Sequence, residues 1–134
     1  MPKPHLPALA LAFCAGLAAP AASAQTLTGA DWRVTTLVGV DLPPGVQPVL
    51  SFAAPDRVTG QAGCNRFFGS YTQDGLSLGF GALGATRMAC DDARMAVEQR
   101  LFDALSATQG MVLTPGGVLE LWGESGLLVR AERP

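Results

Sequence analysis

The chain has 134 residues, enough for one domain, and its single Lys and single His both fall within the first five positions. Beyond residue 24, eight scattered Arg face eleven Asp plus Glu, a net charge of −3, so the sequence offers no basic face to nucleic acid or to an anionic membrane surface. Without His or Lys there is no Ser-His-Asp triad, Cys-His dyad, His-bearing zinc site, Schiff base or Ser-Lys dyad.

Residues 1–24 read as a signal peptide. Lys3 and His5 precede an uncharged apolar run over 8–19, Pro20 breaks it, and Ala22-Ser23-Ala24 has the small-x-small pattern of a cleavage site. Cleavage after Ala24 leaves Gln25 as the mature N-terminus and 25–134 as a single domain. The run falls short of the roughly 20 residues of a membrane-spanning helix, and no later segment reaches that length. The mature chain is therefore expected to be periplasmic or secreted, with no membrane span and as a monomer. Leu11-Ala12-Phe13-Cys14 resembles a lipoprotein box, which would anchor the chain through Cys14. The bulky Phe13 before the Cys favours the cleaved, unlipidated form.

Turn residues then punctuate the chain at short intervals, the pattern of many short strands. Strands are predicted over 32–37, 49–52, 57–60 and 67–72, with Asp74-Gly75 turning the last into 76–80. From 92 to 105 there is no Gly or Pro, and Met95, Leu101, Phe102 and Leu105 share one side, which predicts an amphipathic helix. Asp91 or Asp92 is suited to cap it, and Gly110 lies just beyond its end. Strands resume over 111–113, 118–122 and 127–131. The expected fold is mostly β: a curled, barrel-like antiparallel sheet of about eight short strands with one helix covering or plugging it.

Two segments stand out: Gly63-Cys64-Asn65-Arg66-Phe67-Phe68-Gly69-Ser70-Tyr71 and Thr86-Arg87-Met88-Ala89-Cys90, the second followed by Glu98 and Leu105 on the helix. With Trp32 near the start and Leu119-Glu120-Leu121-Trp122 near the end, they resemble the META-domain, HslJ-like family over nearly all of 31–131. The departure is Trp122, where that family often has a polar residue. The resemblance implies an exported, envelope-associated barrel linked in some relatives to heat shock and antibiotic tolerance. It implies no catalytic, cofactor-binding or metal-ligating residue, so no cofactor is expected.

The motif residues have structural readings of their own. Gly63 and Gly69 permit positive φ, and Asn65 tolerates it next best, so the first motif reads as a sharp turn or bulge feeding Phe67 and Tyr71 into the sheet. Thr86 and Met88 belong to the second motif. Cys64 and Cys90 are the cysteines left after processing. In an exported chain such a pair favours a disulfide, worth roughly 3.5 kcal/mol in the chain-entropy picture, with two buried free thiols as the alternative. Asp91 and Asp92 read as capping residues rather than paired acid/base carboxylates. Glu98 falls at the edge of the helix's apolar side and needs a donor, from Arg87 in an ion pair or from a backbone N–H. These readings favour a non-enzymatic envelope protein acting through contacts with other proteins. The alternative is a lipocalin-like module holding a small apolar ligand near Phe52, Phe80 or Trp122.

Overall fold

A computed structural model describes residues 27–134 without a break, together with 1–5, 7–10, 12 and 16. The cleavage site after Ala24, the new terminus at Gln25 and Cys14 lie outside the described residues. Alternating inward apolar side chains build nine strands: β1 (Asp31–Leu37), β2 (Val49–Ala54), β3 (Arg57–Gln61), β4 (Arg66–Asp74), β5 (Ser77–Phe80), β6 (Gly84–Ala85), β7 (Gly110–Leu113), β8 (Leu119–Gly123) and β9 (Gly126–Glu132). The helix α1 (Asp92–Ala107) connects β6 to β7.

Neighbouring strands run in the order β3-β2-β1-β9-β8-β7-β5-β4, and β3 pairs with β4 to close the circle. Every pairing is antiparallel. The result is a closed eight-stranded barrel with one helix, as the strand pattern predicts, and β6 lies beyond β5 on the same edge of β4, opposite β3. Two residues carry no readable period, which is why β6 escapes the sequence analysis. The weakest seam lies between β5 and β7, which share the single ladder pair Ser77↔Gly110, and α1 packs against β5 beside it.

Local irregularities set which side chains face inward. In β1, Trp32 and Val34 are buried, but the register shifts between Val34 and Thr36, so Leu37 turns inward instead of Thr36. Trp32, Phe52 and Phe67 fill the interior with Leu50, Leu119 and Leu121. Burying each such side chain contributes about 1.5–3 kcal/mol. The Phe52 ring meets Tyr71 edge-on at 4.9 Å, and Phe67 meets Phe102 of the helix edge-on at 5.7 Å.

Helix α1 buries Val97, Glu98, Leu101, Ala104 and Leu105 in one stripe, while Met95 and Phe102 flank it half-buried. Asp91 is the N-cap, its carboxylate accepting the Arg94 N–H at 2.9 Å. The helix runs two residues past the predicted 105, to Ala107, with Thr108 as its C-cap, and the Thr108 hydroxyl donates to the Ala104 carbonyl at 2.9 Å. Three contacts lay α1 across one end of the barrel. Its Arg94 carbonyl abuts Gly63 in the β3–β4 connection, Arg100 Nε donates to the Val38 carbonyl after β1, and the Ala107 carbonyl faces Gly123 at the end of β8. No helix among the described residues is long and apolar enough to cross a membrane.

Cys64 and Cys90 are joined in a disulfide, with Cα atoms 5.9 Å apart and a sequence separation of 26. The bond ties the β3–β4 connection to the residue before the helix cap. Replacing Cys64 by Ser is expected to lower unfolding free energy by roughly 2–5 kcal/mol, read by urea denaturation of the oxidised protein. An unchanged midpoint would show that the bond adds nothing to the fold.

Candidate functional site

The two sequence motifs meet at Glu98. Its side chain is 6% exposed, and its Oε1 accepts the backbone N–H of Asn65 at 2.6 Å and of Cys64 at 3.2 Å. Its Oε2 accepts from Asn65 Nδ2 at 2.8 Å. Asn65, itself 2% exposed, uses its remaining capacity on the second motif. Its Oδ1 accepts the Met88 N–H at 2.7 Å and the Thr86 hydroxyl at 3.0 Å, and its Nδ2 also donates to the Met88 carbonyl at 3.1 Å. The Thr86 Oγ1 accepts the Arg66 N–H at 3.2 Å. The first motif, the second motif and the helix therefore share one buried network with every polar atom of Asn65 and Glu98 engaged.

Of the two donors expected for Glu98, the backbone N–H is the one found, and the ion pair with Arg87 does not form. Arg87 is exposed, and backbone and amide N–H groups supply the donors instead. This costs less than seating a guanidinium in the same space, since the N–H groups of the turn need acceptors in any case.

The reading of Gly63, Gly69 and Asn65 as positive-φ residues is also corrected, because none of them has that conformation. Gly63 is required for space: a Cβ there would collide with the Arg94 carbonyl and stand 3.0 Å from the Glu98 nitrogen. Gly69 similarly leaves room for the Leu83 side chain, 2.6 Å from where its Cβ would be. Tyr71 is buried, with its hydroxyl 3.1 Å from Thr28 Oγ1.

Above the network lies an open groove of about 550 Å³ between the Thr86–Ala89 segment and α1. Asn65 and Glu98 line its floor, and Arg87, Met88, Met95, Gln99 and Phe102 are among its walls. Met88 is 59% exposed there although its backbone is fixed from below. The groove offers thioether, aromatic and guanidinium surface but no nucleophile beside a base, because both oxygens of Glu98 are occupied by donors. Asp91 is committed to the helix cap and pairs with Arg94 at 3.6 Å. Among the described residues no three His, Cys, Asp or Glu side chains group as metal ligands.

Phe52, Phe80 and Trp122 do not line a common pocket. The first two approach each other at 6.4 Å, with Phe52 fully buried, whereas Trp122 is 39% exposed on β8. Met95 and Phe102 were legible only as part of a helix face and Gln99 was not singled out; their part in the groove depends on where the Thr86–Ala89 segment runs.

A closed antiparallel barrel capped by one helix, with a cystine beside a buried Asn–Glu network, defines the class. The META domain family model matches residues 25–134, and the chain belongs to that family. Among solved structures it is similar to a protein from Burkholderia xenovorans determined by NMR, with 26% identity, TM-score 0.67, and coverage of 81% of this chain and 83% of that one. A second NMR structure, at 22% identity and TM-score 0.59, covers 75% of this chain and 86% of its own and shares the fold. No curated protein matches the sequence.

Glu98→Ala would leave three buried donors without their acceptor. The expected loss is about 3 kcal/mol or more by chemical denaturation. Glu98→Gln keeps Oε1 but sets an NH₂ against Asn65 Nδ2, so it should lose less than Ala. A change below about 0.5 kcal/mol for Glu98→Ala would contradict the network's structural weight.

Proposed function

We propose that this META-domain chain is a non-enzymatic exported protein of the cell envelope that acts by contacts with other proteins, in the stress-tolerance setting that the HslJ-like resemblance implies. The observation that carries the reading is the groove over the Asn65–Glu98 network. Its floor is rigid and its carboxylate is occupied, while its walls present exposed Met88 and half-buried Met95 and Phe102. Adaptable thioether surface on a fixed base suits recognition of varied apolar side chains. Export is supported by the signal-like residues 1–24 and by the disulfide, a bond that persists in oxidising compartments.

A small apolar ligand is the second reading. The groove volume lies within the range of ligand sites, but the barrel interior, where a lipocalin-like module would hold its ligand, is filled by Trp32, Phe52 and Phe67.

A photo-crosslinking residue at position 88, compared with one at the exposed Thr35 on β1, tests the reading in intact cells. Discrete protein adducts are expected from position 88 and not from 35. The purified protein should show no saturable turnover of peptide, ester, phosphoester or muramyl-glycan substrates. Turnover abolished by changing one carboxylate, with the fold intact, would contradict the proposal.

A further inference from the structure

Among the described residues, β6 is the one strand with a single neighbour. The Thr86 N–H donates to the Arg66 carbonyl at 3.0 Å in continuation of the Phe67↔Ala85 and Phe68↔Gly84 pairs. Hydrogen-bonded and non-bonded pairs alternate along an antiparallel ladder, so the N–H and carbonyl of Ala85 point to the far side of β6, away from β4. Short edges usually protect a sheet against unwanted pairing. Here, however, the edge leads directly into the exposed Thr86–Ala89 segment and the groove beside α1.

The side chains around this edge are of two kinds. Phe68 is 57% exposed, and a Cβ on Gly84 would stand 2.6 Å from two of its ring carbons. The ring is thus held against the β6 backbone with its other side open. Met88, Met95 and Phe102 continue the apolar surface into the groove. Arg66 and Arg87 are both exposed, and neither has an acidic partner among the described residues, where the ion pairs are Arg94–Asp91 and Arg130–Glu120. The two guanidinium groups therefore stand beside one strand edge with no carboxylate among the described residues to meet them. Glu98, the carboxylate in the groove, is turned to its N–H donors.

We propose that the free edge of β6 and the groove beside it receive an extended segment of a partner protein in which pairs of carboxylates alternate with pairs of apolar residues, so that the face toward Arg66 and Phe68 carries both. The segment's backbone pairs with Ala85, as in strand addition to a sheet edge. Its carboxylates meet Arg66 and Arg87, and its apolar side chains rest on Phe68 and against Met88. This inference rests on the protein-contact reading and names the partner's chemistry.

Titration calorimetry of the oxidised protein with synthetic octapeptides tests it. A peptide in which glutamate pairs alternate with leucine pairs is expected to bind, and its lysine–leucine counterpart is not. R66Q and R87Q should each weaken binding several-fold, and together at least tenfold. N-methylation of alternate peptide amides should abolish it, while R33Q on β1 should leave it unchanged. Far-UV circular dichroism confirms that each variant is folded. Equal binding of the two peptides, indifference to both Arg substitutions, or binding only to phosphatidylglycerol vesicles would overturn the inference. Crosslinked adducts from position 88 without any peptide binding would overturn this inference alone, whereas absence of the adducts would overturn the protein-contact reading beneath it.

Discussion

Glu98 brings a carboxylate into the interior of a small barrel, and its two oxygens accept from the Cys64 and Asn65 backbones and from the Asn65 side chain. Burying such a group is costly unless its hydrogen-bonding capacity is met from within the protein. Meeting it fixes three separate pieces of chain at once: the β3–β4 connection, the middle of α1 and, through Asn65, the Thr86–Met88 segment. The rest of the architecture depends on this join, because α1 closes one barrel end only if it is held at that height and rotation.

Other features follow from the same constraint. The helix backbone comes so close to the turn that residue 63 has no room for a side chain. The disulfide runs parallel to the network, linking Cys64 to Cys90 just ahead of the Asp91 cap, so covalent and hydrogen-bonded restraints act on the same two segments. With the backbone of Met88 held from below, its side chain has nowhere to go but outward. The groove between that segment and the helix is thus a by-product of how the barrel is capped, and its rigidity is inherited from the core.

Much of the fold was legible in the residues. Alternation marks the eight barrel strands, and a stretch free of Gly and Pro marks the helix with Asp91 or Asp92 as its cap, of which Asp91 holds that position. The cysteine pairing was favoured over two free thiols by the count and by the compartment that the signal-like residues 1–24 suggest. What the pattern could not carry was long-range. The β1 bulge that turns Leu37 inward is set by its pairing with β9, and β6 exists because β4 offers it an edge. Gly63 is a turn residue as the motif implies, but it looked like a positive-φ position because the neighbour that requires glycine there, the Arg94 carbonyl, is 31 positions away. A backbone N–H was foreseen as a donor to Glu98, but not which one, because such groups belong to every residue alike and the two that bind lie 34 and 33 positions away. The candidate site was therefore named residue by residue, in Asn65, Thr86, Met88 and Glu98, without the connection that makes it one object.

Native-state hydrogen exchange of the unmodified protein tests that connection most directly. If the network is the join on which the cap depends, the amides of Cys64, Asn65 and Met88 should exchange only through global unfolding, with the same free energy as core amides such as Leu121 in β8. Exchange of those three amides through a separate, lower-energy opening, while β8 and β9 remain protected, would show that the helix and turn come apart with the barrel intact and would contradict the account.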